Sequence, residues 1–108
     1  MVTQITPRQL ADTLAAGEPV YLIDVRQPEE HAYAALPRST LIPLGELLNR
    51  AGEVEPPPGA LVVVYCHHGI RSLSGAALLE RAGVGPVASL SGGIDEWSRS
   101  IDPTIPRY

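Results

Sequence analysis

The run ALVVVYC at residues 60–66 constrains the fold more than any other stretch of the chain. A strand with one wet face alternates apolar and polar residues, whereas an unbroken apolar run marks a strand covered on both sides. Such strands belong to parallel sheets flanked by helices. VYLIDV at 20–25 is a second run of this kind. The segments around both runs have helical spacing and helix-boundary residues, so the expected class is α/β with right-handed crossovers. The ALVVVYC strand, the most apolar, is placed at the centre of the sheet.

The remaining elements follow from local signals. Residues 4–6 read as a short first strand. Thr6 is an N-cap with Pro7 at the first helical position, and Leu10, Ala11 and Leu14 recur at helical spacing before a stop at Gly17. A short helix is expected over 28–36 after Pro28, a strand over 39–43, and a helix over 44–52 ending at Gly52. Residues 53–60 hold three consecutive prolines. We read them as a stiff surface connection, because roughly 50 residues on either side is too few for two ordinary domains. A helix is expected from about Ser72 to Ala82, closed by Gly83, then a strand at 86–90 and a turn and final helix over 91–100. Residues 101–108, with two prolines, are expected to form a surface strap. The whole chain, 1–108, is therefore expected to be one domain.

Composition excludes some function classes. The chain is 44% hydrophobic and 19% charged, which fits neither a disordered segment nor a membrane span. No basic segment followed by an apolar one opens it, and no apolar run approaches the ~20 residues of a transmembrane helix. The expected location is cytoplasmic. A net charge of -4 argues against nucleic acid as a partner. All eight cations are arginine, and eleven prolines accompany a single asparagine. Biased base composition and adaptation to heat both account for that usage.

The only cysteine, Cys66, stands where the central strand gives way to a helix. In parallel sheets ligands bind beyond the carboxyl ends of the strands, so its position rather than its residue type singles it out. The following HHGIRS places backbone N–H groups of residues 67–72 around the sulfur, and a helix N-terminus adds partial positive charge. Arg71 adds a full charge and a planar donor fork, and Gly69 frees the backbone to curl. Each feature favours an anionic, nucleophilic sulfur. His67 and His68 are poor zinc ligands beside Cys66, since adjacent residues rarely converge on one ion; no metal is expected. They are expected to line the loop, tuning the thiolate or recognising substrate.

These motifs give the chain a resemblance to the single-domain rhodaneses, a sulfurtransferase family. The resemblance rests on LIDVRQPEE (22–30), LPRSTLIPL (36–44), VVYCHHGIRS (63–72) and LSGGIDEW (90–97), and so spans nearly the whole chain. It implies a rhodanese-like five-stranded parallel sheet flanked by helices on both faces. It also implies a six-residue active loop, Cys66 to Arg71, whose cysteine carries a persulfide and needs no cofactor. Sulfur would pass from a donor such as thiosulfate to cyanide or a thiol, with the persulfide resting against the N–H groups of residues 68–71. Two alternatives stand beside it: a sulfur-relay or regulatory module acting with a protein partner, and a cysteine-based phosphatase or arsenate reductase. The second is disfavoured because four residues separate Cys66 from Arg71, where the related phosphatases have five.

The expected substrate-binding set is His67, His68, Gly69, Ile70, Arg71, Ser72 and Arg26, with Cys66 catalytic. Side chains at 67, 68 and 70 are expected to select donor and acceptor. Asp24 and Arg26 are expected to brace the loop after the second strand, with Arg26 also attracting an anionic donor. Glu29, Glu30 and His31 are read as opening a solvated helix. Gly92 and Gly93 are read as permitting close backbone approach, and Trp97 as core. Arg38 stands where the family carries a glycine, which predicts an altered loop there and a solvated cation.

Overall fold

The computed structural model describes residues 2–108. Five strands form one parallel sheet: β1 (Thr3–Ile5), β2 (Val20–Asp24), β3 (Thr40–Leu41), β4 (Leu61–Tyr65) and β5 (Val87–Leu90). Their order across the sheet is β1-β5-β4-β2-β3, so the ALVVVYC strand is central as expected. The helices are α1 (Pro7–Ala15), α2 (Pro28–Tyr33), α3 (Leu44–Arg50), α4 (Arg71–Arg81) and α5 (Gly93–Ser100). Among the described residues no helix is long and apolar enough to cross a membrane.

Successive side chains of β4 point to opposite faces, and both faces are buried. Val63 and Tyr65 join Leu22, Ala88 and Leu90 under α1 and α5, against Leu10, Ile94 and Trp97. Val62 and Val64 join Ile23 and Val87 under α3 and α4, against Leu47, Ala76 and Leu79. Each valine of β4 is fully buried, a contribution of roughly 1.5–3 kcal/mol apiece relative to exposure. This double burial leaves β4 little freedom to shift, so the residue at its end is held by a strand packed on both faces.

Local signals placed most boundaries. Thr6 caps α1 through a reciprocal box: its hydroxyl accepts from Gln9 N–H, and Gln9 accepts from Thr6 N–H. Three expectations shrink. α2 stops at Tyr33 rather than reaching residue 36, because Ala34 turns extended and Leu36, preceding Pro37, is biased away from helix. β3 pairs only through Ile23–Thr40 and Asp24–Leu41, as an edge strand. Gly52 does not end α3 with a left-handed turn; the chain tightens into a 3₁₀ turn over Ala51–Glu53.

Candidate active site

Cys66 follows directly after β4, and its neighbours across the sheet are the segments that leave β2 and β5. The Cys66 residue is 1% exposed. Its sulfur accepts the Gly69 N–H at 3.2 Å and the Ser72 N–H at 3.4 Å. The thiol lies 3.5 Å from Ser72 Oγ, which is in turn 2.7 Å from Ser89 Oγ on β5. Among the described residues, the N–H groups of His68, Ile70 and Arg71 find no acceptor within the chain. The loop is therefore a cradle of amide donors closed on one side by a pair of buried serines.

Two glycines allow this curl. Gly69 has φ +94°, and a Cβ there would stand 2.9 Å from Gly92 N and 3.2 Å from Leu90 O. Gly93, at φ +60°, lies so close beneath the loop that a Cβ would reach 2.5 Å from Cys66 O and collide with His67 O. The close approach lets Ile94 N–H donate to Cys66 O at 2.9 Å and Asp95 N–H to His67 O at 3.1 Å. The N-terminus of α5 thus fixes the loop from below, as the Gly92-Gly93 pair suggested.

Arg71 does not touch the sulfur. Its fork is bidentate on Glu30, Nη1 to Oε1 at 2.8 Å and Nη2 to Oε2 at 3.0 Å. Glu30 is thus no solvated helix opener. The bonds from Arg71, aided by Gln27 N–H and the Tyr108 hydroxyl against the opposing effect of burial, hold its carboxyl at about 2. The same bonds, outweighing burial, raise the Arg71 guanidinium further above its ordinary value. His31 is not free either, with Nδ1 2.8 Å from Asp24 Oδ2.

Arg26 departs from the expectation of a substrate contact. Its residue is 0% exposed, with Nε and Nη2 on the two oxygens of Asp24, Nη2 also on Ala34 O, and Nη1 on the Tyr108 hydroxyl at 2.7 Å. Burial opposes the charge, but these partners outweigh it and raise the pKa. Arg26 is a bracing residue: it joins the end of β2 to the segment after α2.

The 101–108 strap enters the site instead of passing over an inert surface. The Tyr108 ring stacks on His67, centroids 3.8 Å apart and planes 5° from parallel. Its hydroxyl accepts from Arg26 and donates to Glu30 Oε2 at 2.7 Å. Burial, with the Glu30 carboxylate, pushes that hydroxyl up to about 12. Burial and the nearby His68 push His67 down, and its Nε2 is buried without a partner. His68 is the more exposed, its ring tilted over His67 and its Nδ1 3.9 Å from Asp95 Oδ2. Among the described residues no group of three or more His, Cys, Asp or Glu is placed to hold a metal ion.

Ile70 stands at the loop tip, 73% exposed. Trp97 is core. Arg38 holds φ +61° itself, so the loop keeps the backbone shape a glycine would give it. Its side chain lines a cavity of about 380 Å³ with Leu14, Val20, Leu36 and Trp97, apart from the Cys66 loop. Glu30 and Tyr108 are the site residues that sequence reasoning missed. A signal existed for Glu30: it follows β2, the neighbour of β4, so it had to emerge beside the Cys66 loop. None existed for Tyr108.

A five-stranded parallel sheet with an amide-lined cysteine loop at the end of its central strand defines a narrow class of α/β protein. The family profile of the Rhodanese-like domain matches residues 6–100, and the chain belongs to that family. It is 37% identical to a sulfurtransferase of Allochromatium vinosum over 97% of this chain and 96% of that one. It is 35% identical to the probable adenylyltransferase/sulfurtransferase MoeZ of Mycobacterium tuberculosis over 96% of this chain, but spans only 26% of that longer protein. The human single-domain sulfurtransferase TSTD1 superposes with a TM-score of 0.78 at 26% identity, covering 93% of this chain and 98% of that one.

Proposed function

We propose that the protein transfers a sulfane sulfur through a persulfide on Cys66. The observation that carries this reading is the Cys66 sulfur receiving N–H bonds from Gly69 and Ser72 at the end of the central strand. Such donors are set to stabilise negative charge without a cation of their own. The Cys66 thiolate attacks the outer sulfur of a donor such as thiosulfate. The donor's S–S bond breaks, sulfite leaves with the electron pair, and a new S–S bond joins that sulfur to Cys66. The N–H groups of His68, Ile70 and Arg71 are available to receive the terminal sulfur. A thiol or cyanide then attacks that sulfur and releases the Cys66 thiolate. The balance needs no external oxidant or reductant.

Incubation with thiosulfate is expected to add the mass of one sulfur to the intact protein, removed again by a thiol reductant. Cys66→Ala is expected to gain nothing. Transfer to cyanide by Cys66→Ala at the wild-type rate would sink the proposal.

A relay with a protein partner is a second reading. Two observations favour it: Ile70 projects from the loop tip, and MoeZ carries the matching region within a longer chain. Rapid loading from a desulfurase-bound persulfide, with slow loading from thiosulfate, would support the relay. Phosphate hydrolysis is the weaker alternative, because the Arg71 fork is spent on Glu30; turnover of an aryl phosphate would revive it.

A further inference from the structure

Every arginine beside the active loop is matched by a carboxylate. Arg71 is paired with Glu30 through both terminal nitrogens, Arg107 lies on Asp95 at 2.9 Å, and Arg26 is buried on Asp24. The whole chain carries a net charge of -4. Glu30 is also pinned: Oε1 accepts from Gln27 N–H at 3.0 Å and Oε2 from the Tyr108 hydroxyl at 2.7 Å. It cannot swing away to unmask Arg71 without losing those bonds as well. Apart from the loop histidines, the attraction left to an incoming donor is that of amide dipoles and the start of α4, equivalent to about half a positive charge. Such a field suits one negative charge better than two.

We propose that Glu30 is a specificity-determining residue, setting the Cys66 site to accept singly charged sulfane donors in preference to the thiosulfate dianion. The proposal rests on the persulfide reading above and names its donor class: thiosulfonates and persulfide anions. Both donor types load Cys66 by the same exchange. With thiosulfate the thiolate takes the outer sulfur and sulfite departs. With methanethiosulfonate it takes the outer sulfur and methanesulfinate departs with the electron pair of the broken S–S bond. The two donors share a tetrahedral sulfur but differ in charge and in leaving group; the leaving-group difference cancels when their ratio is compared between two variants, so the change in that ratio isolates charge.

The test measures kcat/KM for both donors in the wild type and in Glu30→Gln, which keeps the side-chain shape and removes its charge. The wild type is expected to favour methanethiosulfonate. In Glu30→Gln the ratio is expected to move towards thiosulfate by roughly tenfold at low salt, the effect of one unit charge nearby at intermediate dielectric. The change should shrink as salt is added. An unchanged ratio overturns the proposal. A second arm needs no turnover: sulfate, a dianion that donates no sulfur, is tested for protection of Cys66 against iodoacetamide. Stronger protection in Glu30→Gln than in the wild type upholds the proposal, and equal protection overturns it. If neither donor loads Cys66 in either protein, the transfer reading fails on its own account while the sulfate arm still decides the role of the Glu30 charge. A single cooperative urea transition that starts from a full native baseline in each protein establishes that both are folded, even where the variant's midpoint is lower.

Discussion

Gly93→Ala separates the support of the active loop from every other role in the site. A Cβ at this position meets Cys66 O at 2.5 Å and collides with His67 O, both rigid backbone atoms. The substitution therefore forces α5 and the loop apart. The φ of +60° costs an L-residue about 1–2 kcal/mol. Two hydrogen bonds, Ile94 N–H to Cys66 O and Asp95 N–H to His67 O, are lengthened or lost at roughly 0.5–1.5 kcal/mol each. The expected destabilisation is about 3 kcal/mol. Gly17→Ala is the control: its φ is +74°, but a Cβ there meets nothing within 4 Å. It bears the backbone strain alone, eased by about 0.4–1 kcal/mol through the stiffer unfolded chain. Urea unfolding should place Gly93→Ala about 2 kcal/mol below Gly17→Ala, and thermal unfolding roughly 8–16 °C below it. Persulfide formation should fall in Gly93→Ala and persist in Gly17→Ala. Equal midpoints for the two variants would refute the claim that α5 supports the loop through this approach.

Acid should loosen the Glu30–Arg71 pair. A carboxyl lowered from 4.5 to about 2 contributes stability that is complete above 4.5 and is lost as pH falls through about 2. At 1.36 kcal/mol per pH unit the shift is worth about 3 kcal/mol. Arg71 is over one-third exposed, so screening reduces this to about 1–2 kcal/mol, and Glu30→Gln should flatten the stability profile in that window. Arg26→Ala leaves Asp24 in the interior without its main partner; a loss of about 3–5 kcal/mol is expected by urea unfolding, and a loss under 1 kcal/mol would contradict the bracing role.

What could be read from the sequence was what the local chain dictates. VVVY with no alternation placed β4 at the centre, and Thr6 with Pro7 and Gln9 placed the start of α1. Cys66 lay at the carboxyl end of a strand whose burial was legible. The electrostatics of the site were not legible, because they join distant segments. Arg71 looked like the charge facing the sulfur, yet Glu30, on a different element, claims it. Arg26 looked available to a donor and is instead saturated by Asp24, Ala34 and Tyr108. Arg38 shows the limit of residue-type rules: a glycine-like φ is held by an arginine where the surrounding fold demands it.

The order of strands also sets a timetable. β2, β3 and β4 lie side by side and can pair as the chain emerges from a ribosome, but β1 pairs only with β5, Thr3 against Ala88. Until residues 87–90 have been made, the apolar flank of β4 remains an open edge able to pair with another chain. The cysteine is therefore synthesised well before the glycine turn that seats its loop. A nascent chain halted between Arg81 and Val87 would display an unseated thiol beside an unpaired strand, the two features that burial hides in the finished protein.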